Sequence, residues 1–236
     1  IYSLGVLGAS LFFFISSPLS SVLIPRLIQI KNTNGYEAFK NFYLLTFNIC
    51  TITIISIAFF IFKFSEELLF LWTSNTNISE KGSFILGLYA LGNSLAVLSS
   101  FAYFLQSAIG NLRLHFLGSL IFVSLFLPLL GFLVIKFNMN GAPIAWLVCN
   151  IFMFIFWGTY IHSIYMRNFY LKWLFKVFGP VALISALLVH LEYMVYLLIY
   201  SYAPFVLFSI ISCIFNLILL YILFFGFNLK SINLLR

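Results

Sequence analysis

Ser16-Ser-Pro-Leu-Ser-Ser-Val-Leu-Ile-Pro-Arg-Leu27 is the stretch whose reading decides how this chain folds. Its two prolines, Pro18 and Pro25, lie seven residues apart and fall on one face of a helix. Arg26 follows the second at once and is the first charge in the sequence. The apolar run before it, Ile1 to Ile24, exceeds the roughly 20 residues that cross a bilayer. A soluble helix rarely accepts an interior proline. A membrane helix does, because neighbouring helices and serine hydroxyls take up the freed carbonyl. The expectation is a membrane helix with candidate bends at Pro18 and Pro25, ending at Arg26 on an aqueous surface.

Composition extends that reading to the whole chain, which is 64% hydrophobic and 7% charged. Apolar residues this dense are meant for lipid or for other helices, not for a soluble core. No basic region precedes the first apolar run and no small-residue cleavage site follows it, so a signal peptide does not explain the start. Because the sequence opens at Ile1 already inside an apolar run, it reads as the C-terminal part of a longer protein. The net charge of +7 is spread singly among loops, which argues against nucleic acid as a partner. Cys50, Cys149 and Cys213 stand in separate apolar runs, so no disulfide, metal site or cofactor is expected.

Seven spans are expected, at about 3–24, 42–62, 84–109, 115–135, 142–165, 175–198 and 203–227. His190 and Glu192 interrupt the sixth. Loop charges test the register independently. Nine of the twelve basic residues fall on one side: Arg26, Lys31, Lys40, Arg113, Arg167, Lys172, Lys176, Lys230 and Arg236. Lys63, Lys81 and Lys136 take the other. The positive-inside rule then places the richer side, with the C-terminus, in the cytoplasm. The outer loop 63–83 carries Glu66, Glu67, Trp72 and Glu80.

Four stretches, in order, carry a resemblance. They are 17–27 (Ser-Pro-Leu-Ser-Ser-Val-Leu-Ile-Pro-Arg-Leu), 64–73 (Phe-Ser-Glu-Glu-Leu-Leu-Phe-Leu-Trp-Thr), 91–95 (Leu-Gly-Asn-Ser-Leu) with 103–114, and 140–147 (Asn-Gly-Ala-Pro-Ile-Ala-Trp-Leu). Together they resemble the polysaccharide flippases of the multidrug/oligosaccharidyl-lipid/polysaccharide exporter superfamily. The resemblance implies an all-α, polytopic protein of the bacterial cytoplasmic membrane, built as two lobes around a central cavity. This chain would supply most of the second lobe, with residues 1–165 as its core and 166–236 as two further helices. It also implies an undecaprenyl-diphosphate-linked oligosaccharide as cargo, for O-antigen, capsule or exopolysaccharide assembly. Membrane lipids, a glycan polymerase and chain-length proteins would be the partners.

Several residues gain candidate roles beside that resemblance. Asn93, Ser100 and Ser107 form a polar stripe on the third span, suited either to a sugar path or to helix–helix hydrogen bonds. Arg26 and Arg113 sit at cytoplasmic exits, where guanidinium groups could grip a diphosphate headgroup or contact anionic lipid. Gly5 with Ala9, and Gly92 with Ala96 and Ser100, have the four-residue spacing that lets backbones approach in lipid. No charged residue sits at the centre of a clear span, so charged cavity groups belong elsewhere in the whole protein.

Other functions fit less well. A drug or toxin exporter, or a peptidoglycan-precursor flippase, shares the fold and differs in its cavity residues. A polytopic glycosyltransferase or glycan polymerase would need acidic or basic residues in large outer loops. This chain has no Asp, and the expectation is that it is not an enzyme.

Overall fold

The computed structural model describes residues 1–166, 169–199 and 205–222, and these are helical almost throughout, with no strand among them. In chain order the helices are α1 (Tyr2–Ala9), α2 (Leu11–Lys63), α3 (Ser65–Thr73), α4 (Thr76–Ile109) and α5 (Arg113–Phe137). A 3₁₀ turn, Asn138–Asn140, leads into α6 (Gly141–Phe152), a π-helical segment (Met153–Trp157) and α7 (Gly158–Tyr165). Then come α8 (Phe169–Trp173), a second π segment (Leu174–Phe178), α9 (Gly179–Ile199) and α10 (Phe205–Tyr221). Four continuous runs are long and apolar enough to cross a membrane: Tyr2–Lys63, Thr76–Ile109, Arg113–Tyr165 and Phe169–Leu198.

Two of those runs fold back on themselves. Residues 2–34 run alongside α4 in the same direction: Gly5 packs on Ile85 and Leu86, and Lys31 Nζ donates to the Ala108 carbonyl at 3.3 Å. Past Gly35 the order inverts, with Tyr43 donating to the Phe101 carbonyl (3.1 Å) and Phe62 packing on Gly87. Gly35 makes the reversal with φ 82° and ψ −179°, a combination open essentially to glycine alone. Backbone through Pro18 and Pro25 stays helical, so the break lies at Gly35 rather than at either candidate proline. Ser20 and Ser21 hydroxyls donate to the Ser17 and Pro18 carbonyls, each one turn back.

The run from Arg113 reverses at the 3₁₀ turn. Gly141 lies against the Leu133 backbone, Trp146 meets Phe122 and Phe126 edge-on at 5.6 Å, and Gly118 lies under the Trp157 indole. Only glycine fits at 141, since a Cβ there would overlap the Leu133 carbonyl. On the far side, α9 and α10 pack on residues 36–63. Lys63 Nζ stands 4.2 Å from the Tyr193 ring centroid, and Tyr221 shares a 3.0 Å hydrogen bond with Thr53.

The expected loops are more helical than the sequence suggested. Residues 25–41 continue as helix apart from Gly35, and the 63–83 loop forms α3 and the start of α4, whose N-cap Asn75 accepts from the Ile78 N–H. Polar residues that leave an apolar span carry no signal to end the helix unless a glycine or a cap supplies one.

The core is aromatic. Phe47 stacks on Trp173 with centroids 4.1 Å apart, and Tyr43, Phe101, Phe154 and Tyr170 close around them. Outward faces are apolar as well: Phe116, Leu127, Phe132 and Ile135 of α5 are exposed. Large exposed apolar surface on well-packed helices is the pattern of a membrane-embedded protein. Lys230, Arg236, Arg167 and the end of the seventh expected span lie outside the described residues.

Candidate functional site

The π segment Met153–Trp157 shapes the site. Accommodating one extra residue in a turn widens the helix and re-aims its side chains, a device common at functional positions. Here it puts Met153 and Trp157 on the wall of a partly open cavity of about 390 Å³ between α4, α5 and the α6–α7 run. That volume falls within the usual ligand-pocket range of about 300–1,000 Å³. Tyr170 donates to the Phe154 carbonyl, inside the widened turn, at 2.8 Å.

The cavity wall is mainly apolar, with several uncharged polar groups set into it. From α4 come Ser99, Ser100 and Gln106; from α5, His115 and Ser119; from α6, Asn150. Tyr103, Trp157 and Tyr170 add aromatic surface, and among the described residues no Lys, Arg or Glu lines it. Gln106 is 1% exposed. Its Nε2 donates to the Ala102 carbonyl at 3.0 Å, and its Oε1 has no partner among the described residues. Ser99 Oγ is likewise buried and without a partner among them. A buried amide oxygen and hydroxyl without partners among the described residues, lying just behind the cavity surface, are costly to leave unmet.

From the wall a buried hydrogen-bonded group runs into the core. His162 Nδ1 donates to the Gly158 carbonyl at 2.7 Å, and Nε2 pairs with the Tyr43 hydroxyl at 2.7 Å, whose single proton is shared between this ring and the Phe101 carbonyl. Tyr170 stacks on the imidazole at 4.4 Å and holds it flat against the core.

The candidate residues part company in space. Ser100 lines the cavity and donates to the Val97 carbonyl at 2.6 Å. Asn93 does not line it. Its amide donates to the Ala9 carbonyl and accepts from Trp146 Nε1, both at 2.8 Å, tying α1 and α6 to α4. Ser107 has a buried hydroxyl with no partner among the described residues, away from the cavity lining. Pro18 and Pro25 are exposed on α2.

Arg26 and Arg113 are both exposed. Arg26 donates to Gln29 Oε1 at 2.8 Å, and Arg113 opens α5 with its N–H on Asn111 Oδ1 at 3.3 Å. The Lys31–Ala108 bond, together with a 2.6 Å bond from Tyr36 to the Tyr165 carbonyl, gathers these turns at one end of the bundle. His162, Tyr43, Tyr170 and Trp157 went unnoticed in the sequence. His162 alone carried a signal, as a polar residue inside an apolar run; its partners stand far away along the chain.

Comparison with protein families, with curated proteins and with solved structures finds no match to this chain.

Proposed function

We propose that this chain is part of a membrane transporter that moves a polyprenyl-diphosphate-linked oligosaccharide from the cytoplasmic to the outer leaflet of a bacterial membrane. The observation that carries the reading is a partly open cavity of aromatic surface and uncharged polar groups, set among helices whose outer faces are apolar. A glycan presents hydroxyl donors and flat ring faces, which match amide oxygens, serines and aromatic planes. Its polyprenyl tail would stay in lipid against the α5 face.

On this reading each arm of the two folded-back runs crosses once. With Thr76–Ile109, Phe169–Leu198 and α10, that makes seven crossings. The end holding Arg26, Lys31 and Arg113 then faces the cytoplasm, where exposed guanidinium groups meet the diphosphate as the cargo arrives. Bending near Pro18 or repacking at Gly35 would let the bundle rock during alternating access. The lack of any cavity carboxylate weighs against a drug exporter for cations.

The test is genetic and chemical. A strain lacking the gene should lose its surface glycan and accumulate lipid-linked repeat units on the cytoplasmic leaflet. Complementation by Gln106→Leu should restore less export than complementation by the parent chain. Normal glycan export in the deletion strain would overturn the reading.

A further inference from the structure

Gly158, where the π segment ends, bonds back along the chain in a way that an α-helix does not. Its N–H donates to the Met153 and Ile155 carbonyls, five and three residues back. The Phe154 carbonyl, four back, is the acceptor an α-helix would use. The Tyr170 hydroxyl donates to that carbonyl at 2.8 Å. The same hydroxyl lies against residue 158, where a Cβ would stand 2.6 Å from its oxygen. Tyr170 is buried, and its stack on His162 holds the ring in place.

This exchange of partners sets the face of every residue that follows. Asn150 and His162 are 12 positions apart. In an unbroken α-helix that spacing leaves them about 120° apart around the axis. The extra residue absorbed by the π turn removes about 100° of this. Both side chains then fall on the cavity wall, with Met153 and Gly158 between them. Residues before the turn are locked, Gly141 against Leu133 and Trp146 on Asn93. A return to α-helical bonding would therefore rotate α7. His162 would take the outward direction that exposed Ser163 has now, and Tyr160 the inward direction of buried Ile161.

We propose that Tyr170 is a positioning residue for the cavity: its hydroxyl, by holding the Phe154 carbonyl away from Gly158, maintains the π turn and the register that brings Asn150 and His162 to one wall. Gly158 belongs to the same device, since a residue without a side chain leaves room for the hydroxyl. The device acts on the shape of the cavity, whatever cargo the cavity carries.

The experiment follows a thiol reporter in the full chain in detergent, with Cys50, Cys149 and Cys213 replaced by alanine. Tyr160→Cys should react readily with N-ethylmaleimide, and Ile161→Cys should be protected. Adding Tyr170→Phe should slow the reaction of Tyr160→Cys several-fold while Ile161→Cys stays protected. Gly158→Ala, whose methyl displaces the same hydroxyl, should slow it as well. General loosening of the fold would do the reverse, exposing Ile161→Cys and leaving Tyr160→Cys reactive. That loosened pattern overturns the proposal, and so does a Tyr160→Cys that reacts at the parent's rate in either variant.

Discussion

Trp146 Nε1 donates to Asn93 Oδ1 at 2.8 Å, while the same amide donates to the Ala9 carbonyl at the same distance. One side chain thereby satisfies two partners on two other helices, in a place where water cannot. Asn93→Ala leaves the Trp146 N–H buried without an acceptor and should lower stability by about 1–3 kcal/mol. The double variant with Trp146→Phe should lose less than the sum of the two single changes, because both remove one bond. Thermal unfolding in detergent reads both values, and additive losses would show that the bond contributes nothing.

At the α5–α6 hairpin the contact is backbone on backbone, and neither side can yield. Gly141→Ala should therefore cost more than Gly158→Ala, where the new methyl meets the terminal oxygen of Tyr170. Overpacking typically costs about 1–3 kcal/mol, with Gly141→Ala expected at or above the top of that range. Melting temperatures of the two variants decide the order.

Gly35 and Pro18 separate two kinds of weak point. Gly35→Ala forces a side chain into a glycine-only conformation and should destabilise by about 1–3 kcal/mol. Pro18→Ala restores a helical N–H within a straight helix and should leave stability equal or higher. If the helix bends there during transport, glycan export by Pro18→Ala should fall even though its melting temperature does not.

Turns at opposite ends of the bundle should label from opposite sides of the membrane. After replacement of Cys50, Cys149 and Cys213 by alanine, Ser74→Cys and Asn138→Cys should react with an impermeant thiol reagent from one side of sealed vesicles. Asn34→Cys and Asn111→Cys should react from the other. All four labelling from one side would refute seven crossings.

Glu67, on the short helix α3, has its carboxyl raised above the ordinary 4.5 by burial, with Glu66 adding to the effect. A fold that holds this proton more tightly than the unfolded chain loses stability as pH rises from the ordinary glutamate range through the raised value. Glu67→Gln should flatten that part of the pH–stability profile. An unchanged profile would mean that the group is solvated.

Much of the architecture was legible in the sequence, because hydropathy acts residue by residue. Long apolar runs, the glycine and alanine at contact spacing, and the single charges at their ends required no tertiary information. The stretch Ser16–Leu27 announced a membrane-type helix through a proline that water would not tolerate. The chain reversal stood elsewhere: proline costs one hydrogen bond, which the bundle absorbs, whereas reversal needs the backbone freedom of Gly35.

The site was not legible in that way. Asn93, Ser100 and Ser107 share one helix face, yet one ties helices together, one lines the cavity and one does neither. Their roles depend on which helix lies opposite. His162 and Tyr43 meet across 119 positions, and Glu192 finds Asn216 only because α9 and α10 pack side by side. Sequence alone determined which segments leave water, since transfer free energy is a sum over residues. Tertiary structure decided which polar groups are satisfied and which are not, since a hydrogen bond needs two partners brought within about 3 Å.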